Sequence, residues 1–162
     1  MSKPLLLPEQ NLNKTVKKSM QIHTIINTLT STKDNTLREI VSDLIQEAAP
    51  LAVHNRNYIV NNIPADLQVE ANGTIVSSVL SHLFHTNLRH TQNSVILISA
   101  KVYGHAVLVQ LKSKGTVSPA LPEDIGHACL KAQKTGGVIE LTQHENGQAS
   151  IAYCFLNVAG EA

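Results

Sequence analysis

The sequence predicts a two-layer α/β sandwich, in which a mixed and mostly antiparallel sheet carries its helices on one face. Three observations support this fold class. The chain of 162 residues is 43% hydrophobic and only 15% charged, which is enough apolar material for the core of one soluble domain. Apolar residues repeat with a helical period in separate segments, and two pairs of apolar runs are joined by short turns. Helices and strands do not alternate strictly, which argues against a Rossmann sheet.

The first part of the chain shows no sustained apolar period. Residues 1–19 are polar and lysine-bearing, and residues 20–29 fit either an edge strand or a short helix. Asp34 or Asn35 is expected to cap a helix that extends to Pro50 or slightly beyond. The apolar stripe of this helix is formed by Leu37, Ile40, Val41, Leu44, Ile45, Ala48 and Leu51. We therefore predict an N-terminal arm or strand over residues 1–33 and a folded domain over residues 34–159.

A strand and a second helix are predicted next. The strand covers residues 58–63, and a Pro64-Ala65-Asp66 turn leads to a short extended piece over residues 67–69. Asn72-Gly73 interrupts the chain before a helix over about residues 74–88. One side of that helix is apolar and contains Ile75, Val76, Val79, Leu80, Leu83 and Phe84. Its other side is unusual, because it carries His82, Thr86 and Arg89.

The rest of the chain predicts two hairpins with a helix between them. Residues 95–102 and 106–111 are apolar strands joined by Tyr103-Gly104-His105, and they should be antiparallel neighbours. A loop over residues 112–122 leads to a helix over about residues 123–134, which ends at Gly136-Gly137. Strands over residues 138–143 and 149–158 follow, and the Asn146-Gly147 pair between them suits a tight turn.

Composition excludes several classes of function. The formal net charge of +1 disfavours a polybasic binder of nucleic acid or membranes, and 3% aromatic residues with no Trp leave little for base stacking. Two cysteines, Cys129 and Cys154, suit a reducing compartment, and no signal or membrane segment is evident, so we expect a cytoplasmic protein. His82 and His85 have the spacing of metal ligands, but with eight histidines in the chain chance proximity is the preferred interpretation.

Residues 82–91 read HLFHTNLRHT. This string resembles the N box, N-L-L-x-N-A-x-K-[YH]-[TS], of the ATP-binding domain of sensor histidine kinases, whose fold is shared with GyrB, Hsp90 and MutL. The resemblance spans about residues 36–158 and includes TLREIV at residues 36–41, ADLQV at residues 65–69, and Ile139-Glu140-Leu141 after the glycine pair. It implies the histidine kinase ATPase-like fold and a role in bacterial two-component signalling.

The nucleotide-binding motifs depart from the family pattern. Thr86 stands where the family has the asparagine that holds Mg²⁺, and His82 replaces the preceding asparagine. The D-x-G-x-G motif becomes SKGTV, so that Ser113 replaces the adenine-binding aspartate and only Gly115 survives. The segment before the last helix is too short for the family's glycine-rich lid, and Pro122-Glu123-Asp124 places carboxylates where a triphosphate would lie.

These departures predict a degenerate ATPase-like domain without kinase activity, which acts through contacts with a signalling protein or through self-association. We expect no catalytic residue, no metal and no cofactor, and no nucleic-acid or membrane partner. His82, Thr86, Arg89, Ser113 and Gly115 are the predicted remnants of the nucleotide pocket. The alternative is an ATP-binding kinase or phosphotransfer protein, with Thr86 on Mg²⁺, Ser113 toward adenine, and His23 as phosphoacceptor. A third possibility is a homodimeric scaffold built through the N-terminal segment.

Overall fold

The computed structural model describes residues 36–134 and 136–160. They form a five-stranded sheet in the order β1-β2-β3-β5-β4, in which β1 is parallel to β2 and all other neighbours are antiparallel. The elements are α1 (Leu37–His54), β1 (Tyr58–Asn62), α2 (Gly73–His90), β2 (Val95–Tyr103), β3 (Ala106–Ser113), α3 (Leu121–Asp124), α4 (Gly126–Gln133), β4 (Val138–Gln143) and β5 (Ala149–Leu156). The predicted fold class is confirmed. The predicted arm or strand over residues 1–33, with His23, lies outside the described residues.

Helix α1 begins directly after its N-cap residue, Thr36, which forms a capping box with Glu39. The Thr36 Oγ1 atom accepts the backbone N–H of Glu39 at 3.2 Å, and Glu39 Oε2 accepts the backbone N–H of Thr36 at 3.1 Å. The predicted caps, Asp34 and Asn35, were therefore wrong, because only Thr36 has a glutamate at the third helical position. Pro50 lies inside the helix, which continues to His54.

The hydrophobic core lies between the helices and one face of the sheet. Along β3 and β5 every second residue is buried, which is the pattern of strands covered on one side. Helices α1 and α2 turn their apolar stripes toward this face. The largest fully buried side chains are Tyr153, Phe84, Leu37, Ile63, Leu80, Leu83, Leu88, Ile96, Ile98, Leu111, Leu121 and Ile151.

Two predicted boundaries differ from the structure near the predicted site. Strand β3 continues to Ser113, so this residue belongs to the sheet and not to the following loop. The single helix predicted over residues 123–134 is two helices, α3 and α4, separated by Ile125. Within the described residues no helix has both the length and the apolar character that a bilayer crossing requires.

Candidate functional site

Helix α2 carries the three predicted site residues of the N-box-like string, and these residues differ in how exposed they are. The Thr86 side chain is 1% exposed, whereas His82 is half-buried and Arg89 is exposed. Helices α3 and α4 pack against α2, and the last turn of α2 is joined to α3 by a 2.6 Å contact between His90 Nε2 and Asp124 Oδ2. His82, Thr86 and Arg89 were predicted to line one pocket; in the structure Thr86 is enclosed in the packed interior, away from the surface.

Ser113 has a structural partner. Its hydroxyl donates to Asn87 Oδ1 at 3.2 Å, and the side chains of both residues are buried. This bond joins the end of β3 to α2. Two neighbouring buried atoms, Thr86 Oγ1 and Asn87 Nδ2, have no hydrogen-bond partner among the described residues. Polar atoms are thus present where α2 meets the end of β3, but the protein encloses them.

Gly115 is required by a close approach to Ser94. Its backbone N–H donates to Ser94 Oγ at 2.8 Å. A Cβ atom on residue 115 would lie 2.9 Å from Ser94 Cβ and 3.0 Å from Ser94 Oγ, which is closer than such atoms normally approach. This glycine was predicted as a remnant of nucleotide binding, and its observed contact is with the chain itself.

A buried polar network, which sequence reasoning missed, supports this region. Asn57 Nδ2 donates to the backbone oxygen of Thr91 at 2.9 Å and to its Oγ1 at 3.0 Å, and Asn57 Oδ1 accepts the N–H of Ser94 at 3.1 Å. The Thr91 hydroxyl donates to the Asn87 carbonyl oxygen at 2.9 Å. The available signal was position: Asn57, Thr91 and Ser94 each lie just outside an element end, where backbone groups need partners.

His82 and Arg89 instead line a surface cleft between α2 and α4. Its volume is about 330 Å³, and it is lined by Ser78, Ser81, His82, His85, Arg89 and Lys131. The pKa of His82 is lowered, mainly by partial burial and then by the positive charge of Lys131; His127 and Arg89 act in the same direction, and a hydrogen bond with the Asp124 backbone opposes them. The His82 and His127 rings meet edge to face, with centroids 6.3 Å apart.

The five predicted site residues therefore do not form one site. His82 and Arg89 lie in the cleft, Thr86 and Ser113 lie in the interior, and Gly115 lies against Ser94. His85 and Lys131 belong to the cleft but were not predicted as site residues. In the described part of the chain, no three His, Cys, Asp or Glu side chains are grouped closely enough to hold a metal ion.

Comparison with solved structures shows the class of fold. The catalytic domain of the histidine kinase ThkA matches 79% of this chain and 98% of its own with a TM-score of 0.66 and 17% identity. The Acinetobacter baumannii histidine kinase AdeS matches 96% of this chain and 87% of its own with a TM-score of 0.66 and 11% identity. ThkA in complex with the response regulator TrrA matches with a TM-score of 0.62 and 16% identity; the match covers 98% of this chain and about half, 53%, of that one.

No protein-family model matches the chain, and no curated protein sequence matches it. The chain thus has the fold of the histidine kinase catalytic, ATP-binding domain, at sequence identities that establish the fold alone. The resemblance inferred from residues 36–158 is confirmed at this level.

The residues present do not fit a magnesium nucleotide bound as the resemblance implies. Mg²⁺ needs oxygen ligands that reach an open cavity, whereas the Thr86 hydroxyl is buried. The adenine amino group needs an acceptor that a ligand can reach, whereas Ser113 is buried and hydrogen-bonded to Asn87 in the interior. The single turn of helix α3, Leu121–Asp124, contains Glu123 and Asp124, and their negative charges oppose a polyphosphate there.

Proposed function

We propose that this chain is a degenerate histidine-kinase-type ATPase-like domain that performs no phosphoryl transfer. It acts in the cytoplasm through protein contacts in bacterial two-component signalling. The observation that carries the proposal is the burial of Thr86 and Ser113, the two residues at the metal and adenine positions of the resemblance. A domain that binds nucleotide needs these positions open to a ligand, and here they contribute to the interior of the protein.

The segment between β3 and α3 supports the same proposal. Residues 114–120 are the whole connection, and the chain is held close to the body of the domain along it. Gly115 contacts Ser94, Val117 pairs with Thr91 in an isolated β-bridge, and the Ser118 N–H donates to the His90 carbonyl oxygen at 2.9 Å. A short and tethered connection leaves no length for a lid that closes over a polyphosphate.

The class of partner is a signalling protein or a second copy of the chain. The ThkA structure supports the first, because that histidine kinase is bound to the response regulator TrrA. For self-association, light scattering on the full chain and on residues 33–162 is the direct measurement. A monomeric full chain excludes a homodimeric scaffold built through the N-terminal segment.

Nucleotide titration tests the proposal. A fluorescent ATP analogue with Mg²⁺, titrated into the purified full chain, should show no saturable binding, and calorimetry with ATP should agree. Saturation in the micromolar range would overturn the proposal.

Thr86→Val is the matched variant for this titration. The substitution removes the buried hydroxyl while nearly preserving its shape, so we expect a folded protein at least as stable as the wild type. The alternative function, in which Thr86 binds Mg²⁺ and Ser113 contacts adenine, predicts measurable ATP binding that Thr86→Val abolishes. It also predicts that radiolabelled ATP phosphorylates the full chain and that His23→Gln removes the label.

A further inference from the structure

Helices α2 and α4 enclose a groove that is longer than the cleft around His82. A second cavity, of about 270 Å³, adjoins the cleft and shares Ser78 and Lys131 with it. The combined lining extends along α2 from Thr74 to Arg89, which at 1.5 Å per residue is roughly 22 Å of helix. We call this surface the α2–α4 groove. Besides the cleft residues, it is lined by Thr74, Ile75, Val79 and Lys134.

One end of the groove is positively charged. Arg89 and Lys131 are exposed cations of the cleft, and the imidazoles of His82 and His85 line it with them; a third exposed cation, Lys134, lines the second cavity. None of the residues that line the two cavities is an aspartate or glutamate. The nearby Asp124 carboxylate contacts His90 at 2.6 Å, which directs it to a different partner. Since the whole chain has a net charge of only +1, this concentration of positive charge is local.

The second cavity adds an apolar contact. Ile75 is half-buried there, whereas Val79, one helical turn along α2, also lines the cavity but is fully buried. Lys131 lies between the two ends and donates from Nζ to Ser78 Oγ at 3.3 Å. A free inorganic anion would use only the positive end. An extended or helical peptide segment with an apolar side chain and carboxylates would use both.

We propose that the α2–α4 groove docks a segment of a partner protein that carries an apolar anchor and, farther along, clustered Asp or Glu side chains. The apolar anchor lies against Ile75, and the carboxylates face Arg89 and Lys131. This inference rests on the proposed function and deepens it, because it assigns a surface and a chemistry to the protein contact. Charge complementarity favours an acidic segment along the groove, and contact with Ile75 favours a segment that also carries an apolar side chain.

An array of peptides of about 15 residues tests this proposal, because that length spans the groove in either conformation. Each peptide carries a leucine pair and an Asp/Glu triplet, and the spacing between them varies across the array. Two companion arrays replace the carboxylates with Asn/Gln or the leucines with Ser. The fluorescently labelled full chain should bind a subset of the first array with a preferred spacing and should bind neither companion array.

Two double variants locate the binding. Arg89→Gln with Lys131→Gln should weaken binding of the selected peptides by roughly tenfold or more, since it removes two charges that face the carboxylates. Lys101→Gln with Lys112→Gln removes the same net charge from exposed positions of β2 and β3 and should leave binding within about twofold. All four positions are exposed, so both variants should fold, and circular dichroism checks this.

Three outcomes would overturn the inference. They are equal binding to the carboxylate-free array, an equal loss in the two double variants, and binding of inorganic phosphate at the groove without any peptide binding. Each of these outcomes leaves the nucleotide titration unaffected. Failure of the docking proposal is therefore distinguishable from failure of the proposed function.

Discussion

Whether a residue of this protein can contact a ligand depends more on its burial than on its residue type. Thr86 and Arg89 are three positions apart on α2, yet one is enclosed and the other is exposed. Ser113 and Gly115 follow each other closely in the chain, and their contacts are with Asn87 and Ser94. A hydroxyl or a glycine is chemically suited to a nucleotide site, but the neighbouring side chains determine whether a ligand can reach it.

Gly115→Ala should destabilise the protein by about 1–3 kcal/mol, because the added methyl would lie 2.9 Å from Ser94 Cβ and displace the loop. Urea denaturation measures the change. Gly126→Ala is the matched control: nothing lies within 4 Å of the added atom, so its stability should be unchanged or raised by about 0.5–1 kcal/mol. Equal effects of the two substitutions would contradict the role assigned to the Ser94 contact.

His82 should make stability depend on pH in a defined direction. Its pKa is lowered in the folded state by burial and by Lys131, so between the folded and unfolded pKa values the unfolded chain binds more protons. Protonation of His82 therefore costs the folded state nothing above the pKa of the unfolded chain, and the free energy of unfolding decreases as the pH drops from that pKa to the lower pKa of the folded state. His82→Gln should lose less stability than the wild type between about pH 7 and pH 5.5, as measured by urea titrations at both pH values. Parallel losses in the two proteins would show that His82 does not contribute.

At the scale of elements, helix periodicity predicted α1 and α2, and the apolar runs predicted the strands, but several element ends differ. Caps determine where a helix begins, and the capping box of α1 involves two side chains that bond each other's backbone. The division between α3 and α4 at Ile125 has a different origin. Ile125, Ala128 and Ala132 are buried in the common core, so tertiary packing contributes to the conformation of this short segment.

Thr36→Ala should reduce stability by about 1 kcal/mol, since it removes the side-chain acceptor for the Glu39 N–H. Thr36→Ser keeps the hydroxyl and should remain within about 0.5 kcal/mol of the wild type. Thermal denaturation followed by circular dichroism compares the three proteins. A serine variant as unstable as the alanine variant would mean that the threonine methyl group, rather than the cap, stabilises this helix end.

At the scale of the whole molecule, the buried polar network holds together segments that are distant in sequence. Asn57 precedes β1, Thr91 follows α2 and Ser94 precedes β2, and a single amide side chain bonds both of the others. This arrangement fixes the start of the parallel β1–β2 pair. It also positions the end of α2, which carries Arg89 of the α2–α4 groove.

Asn57→Ala should lower stability by about 2–4 kcal/mol, because it leaves the buried Ser94 N–H and Thr91 oxygen atoms without the amide that pairs with them. Asn62→Ala, at the exposed end of the same strand, should change stability by less than about 0.5 kcal/mol. Chemical denaturation of both variants provides the comparison. A loss below about 1 kcal/mol for Asn57→Ala would show that the network is not a principal source of stability.

The sequence by itself determined the fold class, the positions of the main helices and hairpins, and the resemblance to the histidine kinase ATP-binding domain. It could do so because apolar periodicity, turn residues and motif spacing are local properties of the chain. Only the tertiary structure decided the strand order, the burial of Thr86 and Ser113, and the contact of Lys131 on α4 with Ser78 on α2. These features depend on which distant segments pack together, and packing determines whether a polar side chain faces water, a ligand or the interior of the protein.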